Sequence, residues 1–254
     1  MITKVRCMDT ETCSLKPDQV PGGGVVEIGH CDLTLMDGFW VVGQPHSELI
    51  DPKILIPPTA SAIHHLTNED VSGARTFAEV ATDVLAFAGE HGIPLCSHYA
   101  RFDRQWWQPI QLCTWRLAVW FMPEAPDHGL QALRYFGKLD KNPGFERWNA
   151  WPPHRAKADA YLCAQLLGRF LNHGMTVEEA MKISAHPALL PRFTFGQHAG
   201  KPIEEVPTSY LTWIVSPRGI SDNEDVTYTA RRYLEARQNA SFKAAGGDQP
   251  TSAK

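Results

Sequence analysis

The sequence lacks the features that would assign it to several specialised classes of protein. It has 254 residues, and its six cysteines form no C-x-x-C pair, which excludes the usual ligand spacing of a zinc ribbon. No apolar run approaches the length that spans a bilayer, so we expect no contact with a membrane. No apolar stretch follows Lys4 and Arg6. We therefore expect no signal peptide, and a reducing, cytoplasmic location.

An excess of positive charge is also missing. The chain has 24 Lys and Arg against 28 Asp and Glu, which gives a net charge of −4. Without a global basic field, any contact with nucleic acid must come from a local patch. With 43% hydrophobic and 20% charged residues, the composition is that of a folded chain, long enough for one well-buried domain and a small appendage.

The order of the predicted elements favours an α/β fold. Runs from Ile2 to Asp9 and from Val25 to Leu35 predict strands, and Asp37-Gly38 predicts a hairpin into a third strand. Strands and helices then alternate, which predicts a mixed sheet flanked by helices. The strongest predicted helix covers residues 156–171. Shorter helices are predicted at 59–65, 77–88, 117–121, 130–136 and from 102, with short strands at 93–97 and 112–114.

Two acids near the beginning of the chain point to a metal site. Asp9 and Glu11 are two residues apart on the first predicted strand, so their side chains share a face. Two such charges repel each other unless a cation lies between them. Mg²⁺ and Mn²⁺ are hard cations that bind carboxylate oxygens.

Asp159 gives a second, independent indication. On the predicted helix it lines up with an apolar stripe that includes Leu162, Cys163 and Leu166, so we expect it to face inward. A carboxylate in such a position is usually paired or bound to metal. The alternative is an ion pair with Arg155 or Lys157, but both lie on other faces of the helix.

His154 is the candidate proton acceptor. It lies five residues before Asp159, in a turn that follows Pro152-Pro153. A neutral imidazole there could take a proton from an attacking water, because histidine titrates near working pH. The alternative is a surface-loop histidine. Together with Asp103, the acids fit a pair of Mg²⁺ or Mn²⁺ ions about 4 Å apart, acting on a phosphodiester.

Three strings of this sequence resemble the three motifs of the DEDDh family of exonucleases. They are Asp9-x-Glu11, then His98-x-Ala100-x-Phe102-Asp103, then His154-x-Ala156-x-x-Asp159. The match covers the first two-thirds of the chain in the right order. The resemblance implies a ribonuclease H-like fold and 3′-to-5′ hydrolysis that releases mononucleotides. It makes Asp9, Glu11, Asp103 and Asp159 the metal ligands, and His154 the general base, with Glu11 also at the catalytic centre.

The resemblance also implies a set of contacts to the substrate. Ile63 to Thr67 resembles a family segment near the terminal nucleotide. Two positions depart from the family pattern: Tyr99 replaces the usual Asn, and His65 replaces the usual Gly. The residues that we expect to contact substrate are Thr10, Thr12, His64, His98, Tyr99 and Phe102.

The C-terminal part resembles that of the exodeoxyribonuclease X branch of this family. We predict an exonuclease domain at 1–175, a small α+β unit of unknown role at 190–237 and a disordered tail at 238–254. Residues 193–201 predict two short strands joined by a turn, and Asp222 to Asp225 can cap a last helix running to Arg237. One possible stacking and phosphate-binding surface in this unit consists of Phe193, Phe195, His198, Lys201 and Trp213.

The expected partner is a nucleic acid with a free 3′ end. We expect DNA, with an RNA-trimming ribonuclease as one alternative and a non-catalytic nucleic-acid-binding module on the same fold as another. Relatives in the family often pair, so a homodimer is a further expectation.

Overall fold

The computed structural model describes residues 2–219 and 223–244. Its sheet has six strands within these residues, in the order β3-β2-β1-β5-β6, with β4 also paired to β2. β1 is antiparallel to β2 and parallel to β5, which is in turn parallel to β6, so the sheet is mixed as expected. The strands are β1 (Lys4–Thr12), β2 (Val25–Met36), β3 (Phe39–Val42), β4 (His46–Leu49), β5 (Leu95–Ser97) and β6 (Leu112–Cys113).

The chain opens with the predicted antiparallel meander. Asp37 and Gly38 both have positive φ angles, of 49° and 84°, which is the geometry of a two-residue hairpin turn between β2 and β3. Antiparallel pairing places Asp9 opposite Gly29 and Glu11 opposite Glu27. The acids of β1 therefore lie beside a glycine and another acid of β2.

Helices cover the sheet, and α6 is the one that matters most for the site. It packs against β1 and β2, and buried alanine and leucine side chains fill the contact. Gly29 permits this approach, because a Cβ atom there would overlap the carbonyl of Ala156 at the start of α6. The helices before residue 186 are α1 (Pro58–His64), α2 (Asn68–Val71), α3 (Phe77–Glu90), α4 (Thr114–Phe121), α5 (Leu130–Phe136), α6 (Ala156–Asn172) and α7 (Val177–Ala185).

One predicted helix is wrong. The segment from Phe102 forms a single 3₁₀ turn over Asp103–Gln105 rather than a continuing helix. Gln108 precedes Pro109, and a residue before proline is disfavoured in the helical region. Arg104 donates instead to the carbonyl of Ile110, at 2.9 and 3.1 Å, which holds this segment as a loop.

The chain divides into two compact units. The first comprises residues 1–118 and 125–185, and the second comprises 119–124 and the chain from His186. The boundary predicted at 175 leaves out α7, which the structure assigns to the first unit. Ser184 of α7 explains the difference, because its hydroxyl accepts a hydrogen bond from the backbone N–H of Cys113 at 2.9 Å.

The second unit is built around α8 (Thr208–Ile214) and α9 (Glu224–Ala244), which pack together. The two predicted strands over 193–201 are wrong: an isolated bridge joins Arg192 to Pro202, and Gly196–His198 forms a 3₁₀ turn. Gly196 and Gly200 have positive φ angles of 65° and 79°, so the chain turns too tightly here for extended strands.

The predicted tail begins too early. Helix α9 continues to Ala244, so residues 238–244 are helical, since the first strong helix breaker after Arg237 is Gly246. Residues 245–254 lie outside the described residues. At the other end of α9, Asn223 accepts from the N–H of Val226 at 3.3 Å, while the predicted cap at Asp222 lies outside the described residues.

No helix in the described ranges is both long and apolar enough to cross a membrane.

Candidate active site

Strand β1 and helix α6 bring three of the four predicted acids together. Asp9 and Glu11 leave the same face of β1, and Asp159 lies in the first turn of α6. One carboxylate oxygen from each of the three lies within 4.8 Å of the other two. The sequence positions converge because α6 crosses β1 at this point.

Burial, together with neighbouring negative charges, disfavours the ionisation of these acids. Burial and the charges of Glu11, Asp103 and Asp159 hold the pKa of Asp9 well above its ordinary value. Burial, followed by the charges of Asp159 and Glu27, raises the pKa of Glu11 to about 8. Burial raises the pKa of Asp159 to about 6. This is the electrostatic condition that a bound cation relieves.

Asp103 is held beside this group by Thr10. The hydroxyl of Thr10 donates to the Asp103 carboxylate at 2.7 Å, and Asp103 is 1% exposed. Burial raises the pKa of Asp103 to about 7, against the lowering effect of the Thr10 hydrogen bond. The carboxylate of Asp103 is not one of the three within 4.8 Å, but its charge raises the pKa of Asp9 and of Glu11.

The donor set fits a hard divalent cation. The Oδ1 atom of Asp159 is buried and has no hydrogen-bond partner among the described residues. An orphaned carboxylate oxygen that faces two further carboxylates is costly without a positive charge. Carboxylate oxygens are the ligands that Mg²⁺ and Mn²⁺ prefer.

His154 lies next to the acids in an exposed turn. Its backbone has a φ angle of 58°, and its N–H donates to Oδ2 of Asp159 at 3.1 Å. That bond ties the turn to the first turn of α6. The charge of His154 also lowers the pKa of Asp159, although burial outweighs this effect.

Sequence reasoning missed the ion pair that anchors this turn. Arg155 makes two hydrogen bonds to the carboxylate of Glu27, at 2.8 and 3.0 Å, and the N–H of Ala156 adds a third at 3.1 Å. Glu27 is 0% exposed. A glutamate inside the apolar string Val25 to Ile28 was the available signal. The pairing also rejects the alternative of an Arg155–Asp159 ion pair.

Four of the predicted substrate contacts, Thr10, Thr12, His64 and His98, have side chains engaged in internal hydrogen bonds. The Nε2 atom of His98 lies 2.8 Å from the carbonyl oxygen of His128, and its Nδ1 lies 2.9 Å from the hydroxyl of Thr114. A substrate contact through the His98 ring nitrogens is therefore not supported. The hydroxyl of Thr12 donates to the carbonyl of Ser14 at 2.6 Å, and the ring of Phe102 packs on Trp106.

His64 is buried beside the Glu27–Arg155 pair. Its Nδ1 accepts from the N–H of Leu66 at 3.1 Å, while its Nε2 is buried without a partner among the described residues. Burial lowers the pKa of His64, and the charges of Glu27 and Arg155 act on it in opposite directions. Burial therefore favours the neutral ring.

Both departures from the family pattern occur at left-handed backbone positions. Tyr99 has a φ angle of 59° and His65 one of 61°. Asn and Gly are the residues that adopt this conformation most readily. The left-handed backbone thus explains why the family pattern has Asn and Gly at these two positions. The Tyr99 ring packs edge-on against Trp115, with ring centroids 5.2 Å apart.

A cluster of three thiols lies beside the acids. The Sγ atoms of Cys7, Cys96 and Cys163 lie within 4.8 Å of one another, and all three residues are buried. Cys7 is two residues before Asp9 on the same face of β1, and Cys163 is one helical turn after Asp159. The thiols therefore form the packed layer next to the carboxylates.

The mixed sheet flanked by helices, with a cluster of carboxylates between a strand and a helix, defines the class of protein: a nuclease of the ribonuclease H-like fold. The family model described as "Exonuclease" matches residues 7–167, and the chain belongs to that family. It is a hydrolytic 3′-to-5′ exonuclease, which confirms the family expected from the three motifs.

Individual relatives support this assignment. Exodeoxyribonuclease 10 from Escherichia coli (strain K12) is 32% identical over 240 residues, which cover 91% of this chain and 99% of that protein. DNA polymerase III subunit epsilon from Treponema pallidum (strain Nichols) is 27% identical over 172 residues, 65% of this chain and 75% of that protein.

Solved structures agree with the fold. A structure of exonuclease X in complex with 5′ overhanging duplex DNA is 31% identical, with a TM-score of 0.52, and covers 71% of this chain and 99% of its own. The zinc-bound exonuclease I–single-stranded DNA complex from E. coli is 16% identical, with a TM-score of 0.50, over 68% of this chain and 41% of its own. The second likeness supports the fold alone.

Proposed function

We propose that this chain removes mononucleotides from the 3′ end of DNA, with two Mg²⁺ or Mn²⁺ ions held by Asp9, Glu11, Asp103 and Asp159. The observation that carries the proposal is the group of three carboxylates with oxygens within 4.8 Å of one another; one of these residues, Asp159, also has a buried oxygen without a hydrogen-bond partner among the described residues. DNA is favoured over RNA because exodeoxyribonuclease 10 and the exonuclease X structure, both over 30% identical to this chain, are named for DNA.

The chain's own residues set up the attack on the phosphodiester. When bound, the divalent ions supply a lowered pKa for the attacking water and neutralise charge on the departing oxygen. Asp9, Glu11 and Asp159 provide the oxygen ligands from one strand face and one helix turn. Thr10 fixes the orientation of Asp103 by donating its hydroxyl hydrogen bond.

His154 is the proposed general base. Its turn is fixed by the bond from its own N–H to Asp159 and by the Arg155–Glu27 pair that follows. The exposed imidazole is free to accept the proton of the attacking water at one of its ring nitrogens.

Digestion of matched oligomers tests the proposal. End-labelled DNA and RNA strands of one sequence, with free or blocked 3′ ends, are incubated with Mg²⁺, with Mn²⁺ or with EDTA. We expect metal-dependent shortening of the free DNA strand, and none with Asp9→Asn. Asp18→Asn changes an exposed acid outside the site and should leave shortening intact. Faster digestion of RNA would establish the ribonuclease alternative, and no digestion of either strand would contradict the proposed activity.

The role of His154 has its own test. We expect His154→Ala to lower turnover by about a hundredfold or more, the usual contribution of a positioned proton acceptor. The affinity for DNA should change little. His186→Ala replaces an exposed histidine outside the site and serves as control. Turnover of the His154 variant within a few-fold of the parent would remove it from the mechanism.

Two further properties remain predictions. All six cysteines are free and buried, which supports a reducing compartment such as the cytoplasm. Pairing into a homodimer follows from the family resemblance alone, and light scattering of the purified full chain would decide it.

A further inference from the structure

The second unit carries an aromatic shelf, formed by Phe195, His198, Tyr210 and Trp213. Tyr210 is its centre: its ring centroid lies 4.5 Å from His198 and 5.3 Å from Trp213. Phe193, which is 3% exposed, lies beneath, 5.5 Å from Tyr210 and 4.8 Å from Phe195. Four rings are thus held at the surface by a fifth that is buried.

The shelf is more open to solvent than a core cluster would be. Trp213 is 42% exposed, and the other three rings are partly exposed. The loop of residues 192–202 is fixed by two backbone bonds, from Phe193 N–H to the Lys201 carbonyl at 2.8 Å and from Gly200 N–H to the Phe193 carbonyl at 2.7 Å. These rings are therefore pre-arranged, and little entropy is lost when a flat ligand binds on them.

Two cations flank the shelf on the same loop. Arg192 and Lys201 are exposed, and neither forms an ion pair with any residue in the described ranges. Arg192 donates one hydrogen bond to the carbonyl of Gly200 at 3.2 Å, and its other donors remain available. Glu204, an acid in the next turn, accepts a hydrogen bond from the Tyr233 hydroxyl at 3.0 Å rather than pairing with these cations. The loop thus offers positive charge next to stacking surfaces.

We infer that the aromatic shelf, with Arg192 and Lys201, binds single-stranded nucleic acid by stacking unpaired bases and contacting their phosphates. Aromatic side chains beside a basic loop are the combination that binds single strands with little sequence preference. An apolar peptide would use the rings but not two unpaired cations, whereas a strand uses both. The inference rests on the proposed function, because the strand bound here is the substrate strand.

The comparisons place this surface outside the catalytic part. The family model ends at residue 167, before the loop and helix that carry the shelf. The exonuclease X–DNA structure is matched over 99% of its length but covers only 71% of this chain. Exodeoxyribonuclease 10 covers 91% of this chain, so its match extends into the second unit. A nucleic-acid contact here is therefore additional to that of the catalytic centre.

Fluorescence anisotropy of a labelled thymidine oligomer tests the inference. The oligomer has about 16 nucleotides, the upper end of the site sizes of such surfaces. The full chain is used in EDTA, so that nothing is hydrolysed. We expect Trp213→Ala to raise Kd about tenfold, the loss of one stacked base, and Trp213→Phe to stay within about twofold of the parent. Lys201→Gln should lower the slope of log Kd against log salt by about 0.7.

Matched controls separate this surface from general effects. Phe39→Ala removes an aromatic that is 68% exposed on β3, and Lys182→Gln removes an exposed cation of α7; both should leave Kd unchanged. An unchanged Kd and salt slope for the Trp213 and Lys201 variants would overturn the inference and leave a protein partner as the occupant. An equal loss of affinity for a blunt duplex would also overturn it, because stacked bases must be unpaired.

Failure of this inference and failure of the proposed function give different results. Binding through Trp213 without shortening of the strand in Mg²⁺ would remove the proposed activity and keep the surface. Normal shortening of the strand, with no effect of the Trp213 or Lys201 variants on Kd, would keep the proposed activity and remove the surface.

Discussion

Replacing Asp159 by asparagine should stabilise the metal-free protein. The same change should abolish the further stabilisation that added metal gives the parent. In the metal-free protein, burial raises the pKa of Asp159 from 3.8 to about 6, and its charge in turn raises the pKa of Glu11. Asparagine removes this charge. Its side-chain oxygen can still accept the hydrogen bond from the N–H of His154.

The sign of the effect follows from the raised pKa. Below about pH 4 the carboxyl is protonated in both the folded and the unfolded chain, and its contribution to stability is fully present. As the pH rises from 3.8 to about 6, the unfolded chain releases the proton and the folded chain keeps it, so stability falls. At about 1.4 kcal/mol per pH unit, the loss above pH 6 amounts to about 3 kcal/mol.

Urea unfolding in EDTA at pH 5 and pH 8 measures this difference. We expect the free energy of unfolding of Asp159→Asn to exceed that of the parent by about 3 kcal/mol at pH 8, with a smaller excess at pH 5. Saturating Mg²⁺ should then stabilise the parent, by about 2.7 kcal/mol at a hundred times its Kd, and leave the variant unchanged. Asp18→Asn, at an exposed acid, is the control that should behave as the parent.

Two results would refute the reasoning. A variant that is less stable than the parent in EDTA at pH 8 would show that the Asp159 carboxylate is not electrostatically strained. A variant that Mg²⁺ stabilises as much as the parent would show that Asp159 is not a ligand.

Two further substitutions test the backbone arguments. Gly29→Ala should lower the unfolding free energy by about 3 kcal/mol and remove most of the activity, because the new methyl overlaps the Ala156 carbonyl. Gly89→Ala is its control, because no atom lies near the new methyl there. His65→Gly should raise the unfolding free energy by about 0.5–1 kcal/mol, since it relieves a left-handed backbone at an exposed position. His91→Gly, at a position with a negative φ angle, should instead lower the unfolding free energy. Equal changes for the His65 and His91 variants would contradict the argument from backbone strain.

The sequence predicts the part of the site that depends on local periodicity. Asp9 and Glu11 share a face because any strand alternates its side chains, and Asp159 faces inward because it belongs to an apolar helical stripe. The hairpin after β2 follows from the backbone preference of Asp37 and Gly38. Each of these conclusions requires only neighbouring residues.

The parts that failed depend on residues far apart in the sequence. The pair of Glu27 and Arg155 joins positions 128 residues apart, and neither residue signals the other locally. The internal partners of the His98 ring, Thr114 and His128, were also not evident from the sequence, because only the folded chain brings them close. The 193–201 loop has aromatic residues at alternating positions, like a strand, but the turn at Gly196 prevents it from pairing as one.

Reaction of the three buried thiols beside the acids can be used to measure local opening of the fold. Cys7, Cys96 and Cys163 are at most 1% exposed, so a thiol reagent can reach them only when β1, β5 and α6 separate. Because α6 also carries Asp159, the rate at which these three thiols are modified measures how often the strand and the helix separate. A cation that holds the strand and the helix together should slow that rate.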